Sequence, residues 1–236
     1  MAKSTVICID NIIFMRNCKD KEFDIAIVDP EYLNLDKNLL EYNNSGGKGR
    51  MVKNSASFED FSGKPTEEYF YHLFRISTHQ IIFGGNYFTD LLRENLVPFL
   101  YPNNNWFIWN KQIADANWSM YEMAWCSIDN NARSFRYSPM GNCATWHPTS
   151  KPLEVYRYIF ENYVIGFKKK LKRRVSVIDT NLGSQTSRMA ALIMDVDFTG
   201  LEISRKFFDL GNNDFEIFKN KGKLFLPEIE EDFCFF

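Results

Sequence analysis

The sequence lacks several features that would narrow its class at once. It has no C-x-x-C pair, and its five cysteines (Cys8, Cys18, Cys126, Cys143 and Cys234) are odd in number. That disfavours a disulfide framework and a structural zinc site, and a reduced intracellular protein fits best. No apolar run reaches the length of a membrane span. Met1-Ala2-Lys3-Ser4-Thr5 leads into a stretch broken by Asp10 and Asn11, which predicts no signal peptide. There are no internal repeats. There is no strong charge of either sign: 28 Lys and Arg stand against 30 Asp and Glu, for a net charge of -2. A nucleic-acid partner would therefore have to be met by a local basic patch and not by the whole surface.

What is present is ordinary for a globular protein with a real core. The chain has 236 residues, 45% hydrophobic and 25% charged, enough for one large domain or two small ones. The 22 phenylalanines predict a bulky core.

Strand and helix patterns alternate along the chain. Val6 to Asp10, Asp24 to Val28, Gln80 to Phe83, Trp106 to Trp109, Arg133 to Tyr137, Val175 to Asp179 and Phe198 to Ile203 read as strands. Pro65-Thr66-Glu67-Glu68 opens a helix, with a proline near its first turn and acids at its positive end. Lys151 to Tyr163 and the stretch around Ala190 to Met194 are helical. Tyr121 to Trp125 fits neither pattern cleanly. The alternation predicts an α/β fold with a mostly parallel sheet. Residues 33 to 65 are polar and glycine-rich, which marks a long loop.

Two strand ends carry chemistry. The first is Asp29-Pro30-Glu31-Tyr32. Proline stops the preceding strand, so two acids, a carbonyl and an aromatic ring sit at its carboxyl end. In open α/β sheets that edge binds ligands. The second lies about one hundred and fifty residues later, where Val175 to Asp179 runs into Thr180-Asn181-Leu182-Gly183-Ser184-Gln185-Thr186. Gly183 allows close approach to the backbone, and N–H groups at the following helix start could hold an anionic group. Glu202, at the end of the next strand, suits the two hydroxyls of a ribose.

With His147-Pro148-Thr149-Ser150-Lys151-Pro152 added, the set resembles the DNA amino-methyltransferases, which methylate exocyclic amines. Asp29 to Tyr32 is similar to their D-P-P-Y motif, His147 to Pro152 to H-P-T-x-K-P, and Asp179 to Thr186 to D-x-x-x-G-S-G-T. Gly200-Leu201-Glu202-Ile203 is similar to the strand that follows. The catalytic motif precedes the cofactor motif, the permuted order of the beta class. Gln80 to Phe88 and Trp106 to Lys111 resemble phage-type members. The likeness runs from about Asp10 to about Phe208.

The resemblance implies a Rossmann-like S-adenosylmethionine-dependent methyltransferase fold, a mostly parallel twisted sheet with helices on both faces. It implies one domain over residues 1–236, its catalytic half first and its cofactor half last. The activity implied is methyl transfer from S-adenosylmethionine to a flipped DNA base, adenine N6 before cytosine N4 because an acid stands at position 29. Asp29 and Pro30 would hold the amine, Tyr32 would stack on the base, and Glu31 completes the catalytic motif. Asp179, Leu182, Gly183, Ser184, Gln185 and Thr186 would surround the cofactor, with Glu202 on the ribose. His147, Thr149 and Lys151 would lie nearby, Lys151 facing a carboxylate, and Asp10 near the adenine. No metal is required. DNA is the implied partner, read by residues 33–64 and 112–146, and a homodimer and a cytoplasmic location are expected.

Two departures stand out. Glu31 replaces a proline, and Gln185 replaces a glycine where a positive φ would strain it and crowd the cofactor. They leave open a non-catalytic DNA-binding protein that kept the fold. The basic run from Lys168 to Arg174 reads as a phosphate contact or a solvated linker, and His72 and His79 as surface residues. Trp118 and Tyr121 are candidate DNA contacts; Trp125 is expected in the core.

Overall fold

A computed structural model of the chain describes residues 2–31, 64–95, 105–113, 119–128 and 131–225. Tyr32 and nearly all of the loop from 33 to 64 lie outside the described residues, as does Trp118.

The chain opens with strand β1 (Ser4–Cys8), helix α1 (Asn11–Arg16) and strand β2 (Phe23–Val28). Helix α2 (Glu67–Ile76), strand β3 (Ser77–Phe83) and helix α3 (Thr89–Asn95) follow, then strands β4 (Trp106–Asn110), β5 (Tyr121–Cys126) and β6 (Arg133–Arg136). Helices α4 (Leu153–Ile159) and α5 (Ile165–Leu171) are joined by one π turn at Phe160–Val164. The last part alternates β7 (Ser176–Asp179), α6 (Thr186–Ile193), β8 (Asp197–Glu202) and α7 (Arg205–Phe225).

The eight strands of the described residues form one sheet in the order β1-β8-β7-β2-β3-β5-β4-β6. β1, β8, β7, β2 and β3 run parallel, and β5 is antiparallel to both of its neighbours, β3 and β4. The expected α/β sheet is therefore observed. Tyr121–Cys126, which fitted no pattern in the sequence, is its reversed strand. From β2 the chain winds outward to β3, and from β7 it winds the other way to β8. The switch point lies between β2 and β7, which pair at Ala26 and Ile178. Asp29 and Asp179, at the ends of these two strands, thus flank the crevice where open α/β sheets take ligands.

β2 is buried on both faces and divides its side chains between them. Ile25 and Ile27 join a core with Val155, Tyr156 and Ile159 of α4 and Ala190 and Ala191 of α6. Ala26 and Val28 join the opposite core with Met15 of α1 and Tyr69, Phe70, Leu73 and Ile76 of α2. This is the period of two that a strand imposes, and it explains a continuous apolar run in place of alternation. α2 starts where the sequence places it. Thr66 caps it by accepting from the Tyr69 N–H, and Glu67 and Glu68 sit in its first turn.

The basic run is not a linker but the last turn of α5 and the turn after it. Lys168 pairs with Asp195 at 3.1 Å, Arg174 with Asp195 at 3.4 Å and Arg173 with Asp24 at 2.6 Å. Asp24 lies near the start of β2, at the end of the sheet opposite Asp29. His79 is not a surface residue either. It lies on β3, half-buried, its ring 4.7 Å from that of Phe167. Trp125 is buried, as expected of a core residue, and Tyr121 is exposed. No helix among the described residues is long and apolar enough to cross a membrane.

Candidate active site

Asp29 leaves β2 at its carboxyl end, with Pro30 buried behind it and Glu31 half-buried. One carboxylate oxygen, Oδ2, accepts from Lys151 Nζ. The other, Oδ1, is buried and has no hydrogen-bond partner among the described residues. An unpartnered buried acceptor costs about 1–3 kcal/mol, so native structures keep few of them without a use. Burial raises the pKa of Asp29; the Lys151 charge opposes the rise and the Glu122 carboxylate adds to it.

Lys151 is the hub. The resemblance gives it a cofactor carboxylate, but in this structure its ammonium meets two carboxylates of the chain itself, Asp29 and Glu122, the second at 3.3 Å. It also lies 4.6 Å from the centre of the Phe83 ring. Glu122 is held in turn by Lys111 at 3.0 Å. Burial works against ionisation of Glu122, yet Lys151 and Lys111 together hold it below the usual carboxylate range.

The loop from His147 to Pro152 joins the two motif-bearing strand ends. At one end Lys151 reaches Asp29. At the other, Ser150 Oγ donates to Ser184 Oγ at 3.0 Å, and the His147 ring covers Gly183. A Cβ on Gly183 would stand 2.9 Å from His147 Nε2, and this residue has φ +51°, so glycine is required twice over. Burial, helped by the Lys151 charge, pushes the His147 pKa down to about 4, and its Nδ1 has no partner among the described residues. Trp146 clamps the loop to α7 by donating from Nε1 to Asp214 Oδ2 at 2.7 Å. Thr149 is exposed.

The turn after β7 makes several of its hydrogen bonds within the chain. Asp179 accepts from Ser187 Oγ at 2.6 Å and from the Asn181 N–H at 3.0 Å. Burial still pushes its pKa up to about 7. The Leu182 N–H donates to the Leu201 carbonyl, the Gly183 N–H to Glu202 Oε2, and the Gln185 N–H to the Leu182 carbonyl. Within the turn the chain's own acceptors take the N–H groups of residues 181, 182, 183 and 185, while no side chain caps the start of α6 at Thr186. The Leu182 side chain faces the core. Ser184 Oγ lies 3.3 Å from Thr186 Oγ1. Glu202 is fixed by two backbone donors, Gly183 N–H to Oε2 and Ser204 N–H to Oε1, both at 2.8 Å.

Gln185 does need a positive φ, at +61°. It does not crowd the turn, because its side chain runs away toward α7. There Nε2 donates to the Phe208 carbonyl at 3.2 Å, and Oε1 accepts from Arg188 Nη1 at 2.8 Å.

Beside these residues is an open cleft lined by Asn11, Ile12, Pro30, Thr66, Tyr69 and Asn181. Asp10 is the N-cap of α1, accepting from the Ile13 N–H at 2.9 Å, and so sets the first turn that forms one wall. The Tyr69 hydroxyl bridges Thr180 Oγ1 at 2.7 Å and Asn181 Oδ1 at 2.9 Å. Tyr69, Asn11, Lys111 and Glu122 were missed by sequence reasoning. Only Glu122 left a trace, as a lone acid inside the apolar run Tyr121 to Trp125.

No protein-family model and no curated protein matches this chain. Solved structures do. M1.HpyAVI in complex with SAM superposes with a TM-score of 0.55 at 17% identity, covering 89% of this chain and 97% of that one. TTHA0409 of Thermus thermophilus, provisionally a DNA modification methylase and solved with S-adenosyl-L-methionine, gives 0.56 at 11% identity over 91% and 94%. The cytosine-N4-specific PvuII DNA methyltransferase gives 0.52 at 10% identity over 93% of each chain. Over about nine-tenths of its length, this chain therefore shares the α/β fold of these structures.

Proposed function

We propose that this chain is a DNA methyltransferase of the permuted beta class, similar to phage-type members, that transfers a methyl group from S-adenosylmethionine to the exocyclic amine of a flipped base. The observation that carries the proposal is the split environment of Asp29. Lys151 anchors Oδ2, while Oδ1 is a buried acceptor without a partner among the described residues, at the switch point of the sheet. An exocyclic amine supplies the missing donor. Its lone pair is delocalised into the base, and hydrogen bonds from its two N–H groups to Asp29 and to the Pro30 carbonyl free that pair for attack and stabilise the charge that develops on nitrogen. Tyr32 stacks on the base, and Glu31 adds negative charge beside it.

When bound, S-adenosylmethionine supplies an electrophilic methyl group on a positively charged sulfur. The residues present suit it. Within the turn from Asp179 to Thr186 the N–H groups of residues 181, 182, 183 and 185 are given to the chain's own acceptors, which holds the turn in shape beside the cofactor. Glu202, oriented by two backbone donors, is the ribose ligand. Asp179, Leu182, Gly183, Ser184, Gln185 and Thr186 shape the turn, Asp10 orders the wall of the cleft, and His147, Thr149 and Lys151 belong to the loop that closes on it. Solved neighbours with the cofactor bound support the same assignment.

Adenine N6 is the favoured target because the motif begins with an acid. Cytosine N4 is the second reading, since a cytosine-N4 enzyme shares the fold. DNA is the partner, and a homodimer gives these short recognition segments more contact area. Calorimetry with S-adenosylmethionine tests the cofactor assignment. The wild type is expected to bind, and Glu202→Ala to bind about tenfold or more weakly through loss of charge-assisted hydrogen bonds. Equal affinity in the two proteins would remove Glu202 from the ribose.

A further inference from the structure

The chain Lys111–Glu122–Lys151–Asp29 is not explained by holding a cofactor or a base. Its first two members come from the reversed part of the sheet. Glu122 is on β5, opposite Trp109 of β4, and Lys111 directly follows β4, its N–H donating to the Met120 carbonyl at 2.9 Å. The antiparallel ladder therefore sets the Lys111–Glu122 pair at 3.0 Å. All four side chains are mostly buried, with exposures of 14% for Lys111, 19% for Glu122, 4% for Lys151 and 16% for Asp29. Ion pairs removed from water interact strongly and are expensive to unbalance. Two cations and two anions alternate, and Lys151 is shared between the anions.

We propose that Lys111 and Glu122 are positioning residues that set, directly and through Lys151, how much positive charge reaches Asp29, and thereby how strong an acceptor the Asp29 carboxylate is. The role rests on Asp29 being the group that receives the target amine. A carboxylate fully neutralised by its own lysine is a weak acceptor. One facing Glu122 across a shared lysine keeps more of its negative charge.

Other groups also act on this site. Asp179 stands at the end of β7, and the phenols of Tyr69 on α2 and Tyr156 on α4 feel the Asp29 charge. The Cys143 thiol is pushed up to about 11, first by burial, and is neutral. Glu31 is two residues away in sequence. Lys111 and Glu122 are set apart from these groups by the ion pairs Lys111–Glu122 and Glu122–Lys151.

The test is a carbon-13 titration of the Asp29 side-chain carboxyl in the full chain, without cofactor or DNA. Glu122→Gln removes the competing anion, leaves Lys151 to Asp29 and moves the midpoint down. Lys111→Met removes a cation, lets Glu122 draw Lys151 away and moves the midpoint up. Glu122→Asp and Lys111→Arg keep the charges and return it toward the wild-type value. Midpoints that do not move, or that move in the same direction in both charge-removing variants, would overturn the relay. Lys111→Met keeps most of the side-chain volume, so it carries the test if Glu122→Gln fails to fold. Because the readout needs no turnover, opposite shifts in a protein that methylates nothing would sustain the relay and defeat the enzymatic reading alone.

Discussion

Gly211 on α7 is the space that the Gln185 side chain occupies. A Cβ at position 211 would stand 2.6 Å from Gln185 Cγ and 2.8 Å from its Nε2. The amide placed there satisfies Arg188, which is buried, donates to Gln185 Oε1, Asn212 Oδ1 and Ser4 Oγ, and lies 3.6 Å from the Phe215 ring centre. A residue that breaks the glycine pattern of the turn is therefore built into the packing of α6 against α7.

The first prediction follows from that fit. Gln185→Gly relieves the positive φ, worth about 1 kcal/mol, but leaves a void and deprives a buried guanidinium of an acceptor, which costs more. The net expectation is a loss of about 2 kcal/mol in chemical denaturation. Gly211→Ala should also destabilise, although alanine is the better helix former. In the double variant the alanine should cost little or even stabilise. Additive losses in a double-mutant cycle would mean the two sites are independent.

A second prediction concerns pH. His147 is held at about 4 in the folded chain against an ordinary value near 6.5. The unfolded chain therefore binds the extra proton first, and this residue makes stability rise as pH climbs from about 4 to about 6.5, by roughly 3 kcal/mol. Asp179, raised to about 7, acts oppositely and makes stability fall as pH climbs from about 4 to about 7. Denaturation of wild type and His147→Gln across this range should give curves that diverge toward pH 6.5 and run parallel above it. Curves parallel throughout would show that His147 is not held neutral.

A third prediction assigns the basic run to the fold. Arg173 pairs with Asp24 and Lys168 with Asp195, at the end of the sheet remote from Asp29. Arg173→Ala combined with Lys168→Ala should leave both DNA affinity and its salt dependence unchanged. A flatter salt slope would return these residues to the DNA interface, since each lost phosphate contact lowers the slope by roughly one.

Much of this was legible in the sequence because strand ends announce themselves. Pro30 stops β2, and Gly183 marks the turn after β7, so Asp29 and Asp179 could be placed without coordinates. The apolar periods marked seven of the eight strands among the described residues. β5 escaped because a reversed strand at the partly covered side of the sheet is neither wholly apolar nor strictly alternating, and an acid sits within it. The partners of Lys151 escaped for a different reason. Glu122 precedes it by 29 residues and Asp29 by 122, and only the sheet order brings them together. The direction of Gln185 was illegible because it depends on a missing side chain on another helix.

The most direct test of the account is nucleoside mass spectrometry on DNA from cells that make the wild type or Asp29→Ala, paired with calorimetry of both proteins against S-adenosylmethionine. The account predicts N6-methyladenine with the wild type, and a loss of about 100-fold or more with Asp29→Ala. It also predicts that the variant still binds the cofactor, because Asp29 acts on the base. Undiminished methylation by Asp29→Ala would contradict the assignment of the active site, and a wild type that binds cofactor yet leaves every base unmodified would contradict the proposed activity.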